Sequence, residues 1–190
     1  MKHGEKPQSL DDLLARAEHY ANFSMRQFGR VPPAMMAMGA SGSLFFVPEA
    51  MGDERAKQNF ADTARLICVA YDATAVVLVL ESWMKVATPG EPLDPKERPS
   101  EAIDRKEVVL LVGETEGRQK QKFLPIIRTD AGGFFGFGDS NLPEYDNFQG
   151  RFAGILTAKK LTAKDRAVAR TLLDAMGLSH LSLSGDPNKN

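Results

Sequence analysis

Apolar positions in this chain follow two rhythms, one returning every three or four residues and one continuous over five to eight. Leu10, Leu14, Ala17, Ala21 and Phe28 keep the helical spacing. Ser9 with Asp12 forms the pattern of a capping box ahead of them, and Gly29 supplies a stop, so a helix is expected over 9–28. Pro32 and Pro33 bar its continuation. Ala34 to Met38 and Leu44 to Val47 flank a Gly/Ser turn at 39–42 and read as a hairpin. A second helix is expected over 53–72, with Phe60, Ala64, Ile67, Cys68 and Tyr71 as its buried stripe. A third is expected over 162–176, where Thr162 and Asp165 repeat the first cap, Val168, Thr171, Leu172, Ala175 and Met176 form an apolar stripe, and Gly177 stops the helix.

The continuous runs are strands. Thr74 to Glu81 reads TAVVLVLE and Val108 to Val112 reads VVLLV; β-branched runs of this length between Pro and Gly clusters are central strands. They predict strands near 74–84 and 106–113, and Phe123 to Thr129 predicts a third near 122–129, with Pro125 marking an edge or a bulge. Between the first two, Thr88 to Ser100 holds Pro89, Pro92, Pro95 and Pro99, a density that excludes helix and interior strand and leaves a surface loop. GETEGRQKQK reads as a charged turn, GGFFGFG as a turn or bulge whose phenylalanines cover the core edge, and Phe148, Phe152, Ile155 and Leu156 as one face of a short helix.

The expected fold class is therefore α+β: a five-stranded, mainly antiparallel sheet covered by helices, in the order α-β-β-α-β-β-β-α. One domain is expected over 9–178, with flexible tails at 1–8 and 179–190 and no internal repeat. From residue 9 to 177 that order resembles the profilin-like and roadblock architectures. The resemblance lies in topology and involves no motif; it implies an adaptor or small-ligand scaffold rather than a particular chemistry.

Composition narrows the function more than the fold. At 190 residues, 43% apolar and 26% charged, the chain can bury a sizeable core. A net charge of -1 argues against nucleic-acid binding, which needs a basic excess. No run approaches the length of a membrane span, and the N-terminus has no secretory pattern. One cysteine, Cys68, excludes an internal disulfide framework and fits a reducing, cytoplasmic setting; its apolar neighbours make it a packed thiol.

Candidate chemistry is sparse. His3, His19 and His180 have no metal-ligating partner at suitable spacing, so no metal site is expected. GETEGRQ and GGFFGFG lack the Lys-Ser/Thr end of a phosphate loop, and the serines of GASGS sit in a turn rather than a nucleophile elbow. Arg118 to Lys122 and the basic residues from Lys159 to Arg170 read as solvated surface. The strongest cluster joins the two apolar strands. Glu81 and Trp83 share a face of one strand, while Arg98, Asp104 and Arg105 crowd the return. A carboxylate at the end of so apolar a strand needs a partner, and Arg98 or Arg105 is the expected one.

These residues are the expected binding surface: Glu81, Trp83, Arg98, Asp104 and Arg105, with no catalytic residue, metal or cofactor assigned. The function expected first is a non-catalytic interaction module with a protein partner or a second copy of itself, a homodimer. The alternative is a small-ligand binder or small enzyme using a carboxylate/arginine cluster around Glu81 and Asp104. A flat or self-paired surface near Trp83 favours the first and a polar-lined pocket there the second.

Overall fold

A computed structural model describes residues 9–40, 42–49, 51–85, 99–139, 149–157, 160–178 and 181. Within them the elements run α1 (Leu10–Phe28), β1 (Ala34–Gly39), β2 (Gly42–Phe46), α2 (Glu54–Ala70), β3 (Ala73–Met84), β4 (Lys106–Thr115), β5 (Arg118–Arg128), β6 (Phe134–Phe137) and α3 (Ala163–Ala175). The fold is mixed α and β. Its strands are antiparallel throughout, in the order β2-β1-β3-β4-β5-β6.

Among the described residues the sheet has six strands, not five. The additional one is β6, whose glycine-rich sequence has the composition of a turn. The turn is the stretch just before it: Thr129 N–H donates to Gly133 O and Gly132 N–H to Thr129 O, both at 2.8 Å, which folds Phe134–Phe137 back onto β5. Glycine at alternate positions concealed a strand whose phenylalanines pack edge to face, Phe134 on Phe137 with centroids 5.1 Å apart. The charged turn also shrinks to Glu116 and Gly117, because Arg118 to Lys122 belong to β5. Alternation along that strand places Lys120 and Lys122 toward α1, where they pair with Asp11 and Glu18.

Helices cover both faces, and the period-two alternation of the strands feeds two cores. Ala75, Val77 and Val79 of β3, with Val109, Leu111, Leu124 and Ile126, pack under α1 through Leu10, Leu13, Leu14, Ala17, Ala21 and Met25. Val76, Leu78 and Leu80, with Met35, Ala37 and Val112, pack on the opposite face under α2 and α3. β3 reads as an unbroken apolar run because both of its faces are buried.

The caps follow the sequence. Ser9 accepts from Asp12 N–H, Gly29 takes the left-handed conformation at φ +67° to close α1, and Thr162 with Asp165 forms a complete capping box on α3. Gly39 is needed for another reason: a Cβ there would lie 2.8 Å from Asp72 O, where the start of β3 crosses β1.

Two helix stripes differ from expectation. Phe28 ends α1 exposed, and Met25 takes the buried place one turn earlier. α3 buries Ala169 and Leu173 against α2, leaving Val168, Leu172 and Met176 about half exposed. A small residue at the crossing lets the helices approach closely, and that contact selected the narrower stripe. Cys68 is buried in the α2 core as a free thiol; burial, and then the negative charge of Glu114, raises its pKa well above the ordinary value. Residues 149–157, where a short helix was expected, contain none.

Candidate functional site

β1 and β3 stop pairing at Ala34 and Val79, because Pro32 and Pro33 precede β1 and have no N–H to extend the ladder. β3 runs five residues further, to Met84, paired with β4 on one side. On the other side, among the described residues, this length of edge carries no strand and opens into a cleft of about 500 Å³. Its apolar surface comes from Leu80, Leu110, Phe152 and Met51, and its polar groups from Glu81, Ser82, Ser100, Lys57 and Arg151. Trp83 stands at its margin, 42% exposed.

One wall of the cleft is irregular chain held by two charged side chains. Glu114, only 3% exposed, accepts from Gly154 N–H at 2.7 Å and Leu156 N–H at 2.9 Å. Arg65 of α2 donates to the carbonyls of Arg151, Ala153 and Gly154 at 2.7, 3.1 and 3.3 Å. Together the carboxylate and the guanidinium satisfy five backbone groups that no helix or strand would satisfy. They thereby fix Arg151 and Phe152 at the cleft. Arg151 also donates to Glu54 Oε2 at 2.5 Å, and Lys57 to Glu54 Oε1 at 2.7 Å. These two hydrogen bonds and the positive charges behind them hold the Glu54 carboxyl down at about 2.

Of the residues singled out in the sequence, Glu81, Trp83, Asp104 and Arg105 gather at this end of the sheet but divide between neighbouring roles. Glu81 lines the cleft, and its Oε2 accepts from Val31 N–H at 2.7 Å, tying the α1–β1 connection to β3. Arg105 does not close onto Glu81: its guanidinium lies 4.6 Å from the centroid of the Trp83 ring and donates to Ser100 O at 2.6 Å. Asp104 pairs with Lys85 at 3.5 Å. Neither Asp104 nor Arg105 lines the cleft, so Glu81 and Asp104 do not share it. Arg98, with most of the proline-rich loop, lies outside the described residues. A carboxylate–arginine pair of the kind expected forms nearby between Glu107 and Arg128, a two-pronged bond at 2.6 and 2.5 Å, which raises the Arg128 pKa.

Sequence reasoning missed Glu114, Arg65, Lys57 and Arg151. Glu114 had a usable signal, since it continues the alternation of Leu110 and Val112 toward the α2 face. Arg65, one position from buried Ala64 and 89 residues from Gly154, had none. Among the described residues no group of His, Cys, Asp and Glu has the arrangement of a metal site, and no helix is long and apolar enough to cross a membrane.

Comparison of the chain with protein-family models, with curated proteins and with solved structures yields no match.

Proposed function

We propose that this protein binds a small ligand in the cleft beside Trp83. The observation that carries the reading is the concave, mixed polar and apolar surface along the edge of β3 that no described strand pairs. An interaction module using Trp83 would present a flat surface there. A volume near 500 Å³ falls within the roughly 300–1,000 Å³ usual for small-molecule sites, and few but convergent polar groups over an apolar floor are typical of them. The described wall holds no histidine or cysteine, and its one carboxylate, Glu81, is engaged by the Val31 N–H, which favours binding over catalysis. The buried free thiol of Cys68 supports a cytoplasmic setting.

Trp83 is the only tryptophan, so its fluorescence reports on the cleft without a label. A panel of metabolite classes should contain at least one that both raises the melting temperature and changes Trp83 emission saturably. Both effects should vanish in Ser82→Tyr, which fills the cleft from an exposed position. A panel without such a compound, or binding indifferent to Ser82→Tyr, overturns the reading.

One observation favours a second reading, self-association, on a different surface. Val168, Leu172 and Met176 recur every four residues along α3 and are 52%, 49% and 52% exposed. An apolar helix stripe left in water is the usual raw material of a symmetric dimer.

A further inference from the structure

We infer that the ligand of this cleft carries an acid group, bound by Lys57 and Arg151, on an apolar body that lies over Leu80, Leu110 and Phe152. The inference rests on the ligand-binding reading above and specifies its chemistry. Lys57 and Arg151 reach the cleft from separate elements, α2 and the pinned 149–157 segment, and converge on one carboxylate, that of Glu54. The protein thus already displays what the pair recognises. Glu54 itself is 73% exposed and takes one described hydrogen bond from each cation. An ammonium has three donors and a guanidinium five, so both cations retain donors for a second acceptor. They are also the more sheltered partners, 39% and 28% exposed, and a charge-assisted bond made from the cleft side would be better protected from water than the one to Glu54.

The remaining geometry agrees. Both cations stand near the start of α2, where the helix dipole adds a partial positive charge. Glu81 is the one acidic residue of the described wall, and its carboxylate is engaged by Val31 N–H. The apolar side chains of the floor are contiguous with the α2 core through Leu80, Leu110 and Phe152, so a hydrocarbon body placed there extends that core. Arg151 is held in place by the Arg65 guanidinium, which donates to the Arg151 carbonyl, and by Glu114, which accepts from Gly154 N–H further along, so the site needs little ordering when the ligand arrives.

Octanoate and octanol share a chain and differ in the headgroup. Followed by Trp83 emission at neutral pH, octanoate should bind saturably and about tenfold or more tightly than octanol. Lys57→Gln and Arg151→Gln should each bring the two probes together, and Glu54→Gln, which removes the internal competitor, should tighten octanoate alone. Lys57→Gln changes a partly exposed helix position and serves if Arg151→Gln fails to fold. Equal binding of the two probes overturns the acid-group inference and leaves the ligand-binding reading standing. Absence of saturable binding by either probe overturns the inference too, and the metabolite panel then decides the broader reading alone. Octanoate binding that is insensitive to both cation substitutions places the acid elsewhere and likewise overturns it.

Discussion

Glu114 condenses the local chemistry of this protein into one side chain. A carboxylate 3% exposed is costly unless its lone pairs are used, and the N–H groups of Gly154 and Leu156 use them. Glu114→Ala would leave those donors without an acceptor and free the segment that carries Arg151 and Phe152. Stability should fall by about 2–3 kcal/mol, as for loss of a buried charged acceptor, and chemical denaturation measures it. Any cleft ligand should weaken as well, whereas Glu116→Ala, in the exposed turn next door, should change neither. A Glu114→Ala protein of wild-type stability would show that the 149–157 segment is held by something else. Glu81, by contrast, stands exposed and accepts from the Val31 N–H at 2.7 Å.

Among the elements, α2 ties the most features together, because its first turn supplies Glu54 and Lys57, its middle Arg65, and its core face Cys68. The Glu54 carboxyl is held at about 2 against an ordinary 4.5, so its sign is that of a depressed acid. Its contribution is complete above the ordinary value and is lost as pH falls toward the folded one. The melting-temperature difference between wild type and Glu54→Gln should stay constant from about pH 7 to about pH 5, then shrink steadily below that. Because Glu54 is an exposed surface residue, solvent screening keeps the difference small throughout. A difference that persists unchanged to about pH 2 would mean that the triad does not hold the carboxylate in solution. Legibility varied with the element. Caps and β-branched runs located α1, α2, β3 and β4 within a few residues, since both signals act locally. β6 escaped because its glycines are those of a turn, and only its pairing with β5 makes it a strand.

For the whole molecule, covering both faces of the sheet with helices leaves β2 and β6 as its edges and the α3 stripe as apolar surface. If that stripe is a symmetric contact, sedimentation equilibrium should find a dimer at micromolar concentrations. Leu172→Glu, at the centre of the stripe, should weaken it by roughly tenfold or more, because a charge at the middle of an apolar contact must be desolvated. A wild-type chain that remains monomeric at high concentration removes the self-association reading and does not touch the cleft. Leu172 does not line the cleft, so the two surfaces can be tested independently.

The sequence alone determined the class of fold and most element positions, because hydrophobic period, caps and proline placement are properties of neighbouring residues. It also singled out Glu81 and Trp83 at the end of its most apolar strand, and both line the cleft. Tertiary structure decided which apolar stripe of α3 is buried, that Glu81 meets the Val31 N–H and Arg105 the Trp83 ring, and that the cleft is walled by Lys57, Arg151 and Phe152. Those outcomes depend on contacts such as Arg65 with Gly154, 89 residues apart, or Glu54 with Arg151, 97 apart. Such contacts are set by how the helices lie across the sheet, and periodicity within one segment carries no information about them.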